Sequence, residues 1–116
     1  MTDLAYEQAA RAVVALAHVI AGPRAWASRQ PKIRRLWLFG SRVRGNHRDD
    51  SDLDIAVEID PLMTEAEKTV FWTDTRPRWE AELADTQPFT PDLEMYGTDQ
   101  IAAFVEECSV LVFERG

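Results

Sequence analysis

Hydrophobic and polar positions alternate without a break from Asp52 to Ile59. Leu53, Ile55, Val57 and Ile59 point one way, and Asp52, Asp54, Ala56 and Glu58 the other. A period of two is that of a strand with one face buried. Ile33 to Phe39, rich in leucine and aromatic residues, predicts a strand before it, broken by Gly40-Ser41. A short helical turn over 41–45 and a polar loop from Asn46 to Ser51 fill the space between them. Asp92 to Tyr96 alternates again, with Asp92, Glu94 and Tyr96 on one side and Leu93 and Met95 on the other. Val110 to Phe113 completes the strands.

The helical period appears in three places. Leu4, Ala9, Ala12, Val13, Leu16, Val19 and Ile20 give residues 3–22 an apolar face, with Thr2 or Asp3 as cap and Gly22-Pro23 as terminator. Residues 24–32 read as a connector holding Trp26, and Pro31 keeps Gln30 out of helix. After Pro61, Thr64 with Glu67 three residues on forms a capping box, and Ala66, Val70, Phe71 and Trp72 continue the helix. Pro77 predicts a kink or a restart, because proline inside a helix costs about 3 kcal/mol. Trp79, Leu83 and Ala84 carry a second piece to about Asp85, and residues 86–91 are loop. Thr98 or Asp99 caps a last helix through about Glu107. The order α-β-β-α-β-α-β predicts a single α+β, two-layer domain over residues 1–116. In it a small mixed sheet carries helices on one face and leaves the other open.

Composition narrows the function classes. The chain has 116 residues, 46% apolar and 28% charged, which is an ordinary globular balance. A net charge of −7 argues against direct nucleic-acid binding and against an anionic membrane surface, since both need a basic footprint. It suits a basic protein partner or a bound metal. A single cysteine, Cys108, gives neither an internal disulfide nor a zinc pair, and is expected as a small buried residue. No apolar run approaches ~20 residues, and the N-terminus lacks the pattern of a signal peptide, so the expected location is the cytoplasm.

The chemistry concentrates between Leu36 and Glu58. Asp52 and Asp54 share one strand face, roughly 7 Å apart along it. Like charges that close repel unless a cation lies between them. Hard oxygen ligands on a regular element suit Mg²⁺, which keeps waters and shares phosphate oxygens. A third carboxylate from the later acidic strand, Asp92 or Glu94, would allow two metals about 3.5–4 Å apart, the arrangement for in-line displacement at phosphorus. The alternation leaves that choice open. Gly40-Ser41 offers backbone N–H groups and a hydroxyl to an anion. Arg42, Arg44, His47 and Arg48 form a basic patch in an acidic chain, from which one or two could steady a triphosphate. Ser51 can orient the aspartate after it. The four tryptophans read as core or partner surface.

Gly40-Ser41-Arg42-Val43-Arg44-Gly45 followed by Ser51-Asp52-Leu53-Asp54 resembles the G-S-x-x-x-G…S-D-x-D signature of the DNA polymerase β-like nucleotidyltransferases. More closely, it is similar to their minimal (MNT) domains. The resemblance implies that Asp52 and Asp54 bind Mg²⁺ and that Gly40 and Ser41 contact the triphosphate, with Arg42 and Ser51 beside them. The third carboxylate falls at Asp92, in the context Pro91-Asp92-Leu93, as a metal ligand that also helps deprotonate the attacking hydroxyl. MNT proteins of this size often act as the antitoxin of a HEPN toxin encoded by a separate gene, which leaves a homo- or a hetero-oligomer open as the expected assembly. Some transfer AMP from ATP to a tyrosine of that toxin. The resemblance thus implies a protein adenylyltransferase using ATP and two Mg²⁺ ions. The alternatives are an antitoxin that acts by binding alone and a transferase acting on a small molecule such as an antibiotic. The proline-interrupted middle segment with two tryptophans departs from the family's pattern.

Overall fold

The computed structural model describes residues 17, 19–45, 50–97 and 99–116. Most of the leading helix, the loop residues His47 and Arg48, and the cap position Thr98 lie outside the described residues. The elements that follow are α1 (residues 19–28), β1 (Ile33–Phe39), α2 (Ser41–Arg44), β2 (Leu53–Ile59), α3 (Glu65–Ala84), β3 (Pro91–Met95), α4 (Asp99–Glu107) and β4 (Ser109–Glu114).

The strands form one mixed sheet in the order β3-β2-β1-β4. β1 pairs antiparallel with β2 and with β4, whereas β2 and β3 run parallel. A parallel pair needs a long crossover, and residues 60–90, with α3 in their middle, supply it. The alternation in β2 is realised as read: Leu53, Ile55, Val57 and Ile59 are all buried. They pack with Leu36, Leu38 and Leu93 against Val19, Trp26 and Ala27 of α1 and Trp79 and Leu83 of α3. The other face is not bare. Val105 and Ile101 of α4 meet Trp37, Phe39, Ala56 and Tyr96 there, in a smaller cluster over part of the sheet.

Two helices run past the points where the sequence predicts a break. α1 does not stop at Gly22-Pro23 but continues to residue 28. The proline removes one hydrogen bond and strains the turn before it. Against that, Pro23, Trp26 and Ala27 are all buried in the core. The Trp26 indole N–H also donates to Glu82 on α3 at 2.9 Å. Glycine at 22 is required for another reason: a Cβ there would overlap the Thr86 carbonyl oxygen. The helix ends two turns later than its sequence signal, where Arg115 donates to the carbonyls of Ala27, Ser28, Gln30 and Ile33 and so satisfies the exposed chain end.

α3 likewise runs unbroken from Glu65 to Ala84 with Pro77 inside it, so no second helix restarts there. Its start is as predicted, with both hydrogen bonds of the Thr64–Glu67 capping box in place. Beyond the proline, Trp79 and Leu83 are almost completely buried, and Trp79 meets Trp26, Phe71 and Trp72 edge to face. Burying one tryptophan removes on the order of 200 Å² from water, worth about 5 kcal/mol. Even after about 1–3 kcal/mol for its indole N–H, which is buried without a partner, Trp79 together with the fully buried Leu83 offsets the about 3 kcal/mol cost of the proline. Cys108 is half-buried rather than buried, just past the end of α4.

Candidate active site

β1 ends at Phe39, and the register across the sheet there carries the site. Phe39 lies opposite Asp54 on β2, and Asp54 lies opposite Asp92 on β3. Parallel pairing therefore brings two carboxylates, 38 positions apart in number, side by side on the same face. Glu94 falls one step along, opposite Ala56. Asp92 is thus the cross-strand partner of Asp54, and Glu94 lines the same cleft further along β3.

Gly40 follows Phe39 with φ of +81°, a conformation that favours glycine. Its hydrogen faces the Asp54 carboxylate so closely that a Cβ would overlap Oδ2. The glycine is needed here to seat the aspartate. It then caps the single turn of α2, closed by the Arg44 N–H to Gly40 carbonyl bond at 3.1 Å and by Gly45 in the left-handed conformation.

Together these elements wall a cleft of about 660 Å³. Its polar lining comes from Gly40, Ser41, Arg44, Asp54, Asp92, Glu94 and Gln100, and its apolar lining from Phe39, Ile101 and Phe104. Phe39 and Phe104 stack with ring centroids 6.4 Å apart. The residues read from the sequence thus divide. Gly40, Ser41, Asp54 and Asp92 come together at the cleft. Asp52, just before β2, is exposed outside its lining, close enough for its charge to act on Asp54.

Arg42 and Ser51 go elsewhere. Arg42 is 5% exposed, its Nε donates to the Ser51 carbonyl at 2.9 Å, and its guanidinium lies 3.5 Å from the Phe89 ring centroid. It braces the loop before β2 against the loop before β3. Arg44 takes the place at the cleft instead. The signal was present in the sequence: on one helical turn, residues 41 and 44 share a face and 42 points away from it.

The electrostatics of the cleft are dominated by its carboxylates. Burial, first of all, pushes the Asp54 carboxyl up to about 6. The charges of Asp92 and Asp52, a hydrogen bond shared with Asp92, and the charge of Glu94 act in the same direction. A hydrogen bond between two carboxyls requires a proton, so Asp54 and Asp92 relieve their repulsion either by protonation or by a positive charge between them. Their oxygens are the hard donors that Mg²⁺ takes. Among the described residues, no group of three acidic, histidine or cysteine side chains stands ready to enclose an ion alone. A cation here would complete its shell with water and phosphate oxygens, which is how Mg²⁺ is usually held.

A residue that the sequence gave no reason to single out also reaches the site. Arg76 on α3 places Nη2 3.4 Å from Oδ1 of Asp92. Nothing local marks an arginine in mid-helix as a partner of a strand far along the chain.

The profile of the family described as "Polymerase beta, Nucleotidyltransferase" matches residues 24–115. No curated protein matches the sequence. Among solved structures, the chain is similar to one described as a toxin-antitoxin with AMP-PNP, at 21% identity and a TM-score of 0.56. That match covers 76% of this chain and 66% of the other, slightly less than two thirds of its length. A putative nucleotidyltransferase from Sulfolobus solfataricus is similar over 90% of this chain and 87% of its own, at 19% identity and a TM-score of 0.50. Both share its fold. No helix among the described residues is long and apolar enough to cross a membrane.

Proposed function

The chain belongs to the polymerase β nucleotidyltransferase family, and on that premise we propose that it transfers AMP from ATP to a tyrosine hydroxyl of a HEPN-type toxin, as the antitoxin of that pair. The observation that carries the reading is the Asp54–Asp92 register beside Gly40, on the wall of one cleft. A toxin-antitoxin protein of the same fold was crystallised with AMP-PNP, an ATP analogue, which supports ATP as the donor.

Asp54 and Asp92 would hold Mg²⁺, with Asp52 contributing from the rim. Bound there, Mg²⁺ supplies charge stabilisation to the oxygens around the reacting phosphorus. Ser41, with the backbone at Gly40, and the Arg44 guanidinium face the same cleft and suit the triphosphate. The stacked Phe39 and Phe104 with Ile101 form an apolar wall of the kind a nucleobase or ribose lies against. The tyrosine oxygen forms a bond to the α-phosphorus, the bond to pyrophosphate breaks, and Asp92 takes the hydroxyl proton.

The test uses α-labelled ATP, Mg²⁺ and the protein product of the neighbouring gene. Label is expected on that partner with the wild-type chain and none with Asp54→Asn or Asp92→Asn. A partner that stays unlabelled while both variants still neutralise it would sink the transferase reading and leave binding alone as the function.

A further inference from the structure

We propose that Arg76 is a positioning residue for Asp92: through Glu80 it ties α3 to the edge strand β3 and fixes the carboxylate in the orientation a divalent cation needs. This rests on the reading of the cleft as a cation site.

β3 is an edge strand, so one side of its backbone has no strand partner. Glu80 covers part of it, accepting from the Leu93 N–H at 3.2 Å. The same oxygen lies 3.6 Å from Nε of Arg76, one helical turn earlier. The other side of that guanidinium reaches Asp92 Oδ1 at 3.4 Å. Asp92 is therefore approached from two sides, by Arg76 from the helix and by Asp54 from the neighbouring strand. Both contacts to Arg76 are long, and its Nε is buried without a hydrogen bond.

Two physical roles for such an arginine predict opposite signs. As a resident counter-charge, it would repel an incoming cation, and its removal would tighten binding. As an outer support for a ligating carboxylate, its removal lets Asp92 turn away, and binding weakens, typically by about 10- to 100-fold for such supports. The chain Arg76–Glu80–Leu93 anchors the arginine at its far end to backbone, which favours support.

Mn²⁺ binding to the full chain, followed by electron paramagnetic resonance, separates these roles without any turnover. Arg76→Gln is expected to weaken Mn²⁺ affinity by roughly tenfold or more. Arg76→Lys, which keeps the charge but not the fork, is expected to recover part of it. Melting temperature should change little, because both ion pairs are more than a third exposed on the arginine side. Unchanged or tighter binding in Arg76→Gln overturns the positioning role. Should that variant unfold, Glu80→Gln carries the test: weaker Mn²⁺ binding is expected, and wild-type affinity overturns the proposal. Absence of Mn²⁺ binding to the wild-type chain overturns the cation site itself, a failure distinct from that of Arg76.

Discussion

The two faces of the sheet are made from the same strands and do opposite work. On one, Leu36, Leu38, Leu53, Ile55, Val57, Ile59 and Leu93 are buried under α1 and α3. On the other, alternate residues of β2 and β3 place Asp54, Asp92 and Glu94 around a cleft, with a small apolar cluster under α4 beside it. The first face stabilises the molecule, and the second holds charges that repel one another. One residue of displacement along a strand exchanges the two. The difference shows how a chain this short carries a destabilising site: the face that gains from burial is directly behind the face that loses from charge.

That division can be broken from either side. The largest effect is expected from Ile55→Ala on the packed face, where emptying a fully buried position costs about 2–5 kcal/mol. Urea unfolding should show the loss. Cation binding per folded molecule should stay as it is, since Ile55 points away from the cleft.

Gly40→Ala strikes the seam between the faces. The new Cβ overlaps the Asp54 carboxylate, and φ at +81° is strained for alanine, a cost of roughly 1–3 kcal/mol. Unlike the isoleucine variant, this one should lose Mn²⁺ affinity as well as stability, because Asp54 must move. Titration calorimetry on the folded fraction would separate the two losses.

The smallest and most telling effect is a gain. Asp54 holds its proton more tightly in the fold, up to about 6, than in the unfolded chain, near 3.8. Its contribution to stability is therefore complete below pH 4 and lost as pH rises through 6. Asp54→Asn should melt a few degrees above the metal-free wild type at pH 8 and match it near pH 4. Mg²⁺ should close the gap at pH 8 by stabilising the wild type alone. A variant that melts lower at pH 8 would remove the claim that this face is under charge strain.

Much of this was legible in the sequence, and the parts that were not share a cause. β1, β2 and the start of α3 follow from local pattern: alternation for the strands, the Thr64–Glu67 box for the helix. The passage of helices through Pro23 and Pro77 does not. There a local signal is overridden by burial of Trp26 and Trp79 against each other, 53 positions apart in number and invisible to any short window. The site divides the same way. Asp54 was readable from its own strand. That Asp92 rather than Glu94 lies opposite Asp54 depends on the register of a parallel pairing, which alternation alone does not determine. Arg76 and the covering of the second face by α4 depend on helix placement. Arg42, part of the basic patch in the sequence, lies against Ser51 and Phe89 outside the cleft lining, as the turn it sits on directs it.

The parallel pairing of β2 and β3 also orders events in time. β1 and β2 are joined by a short connection and can pair as soon as it closes. β2 and β3 can pair only after residues 60–90 have formed α3 and doubled back, a closure that local contacts do not reward until it is done. A nascent or partly unfolded chain can therefore hold its first hairpin, with Asp54 seated on Gly40, and still lack Asp92. The two carboxylates of the cleft come together only when β3 docks beside β2.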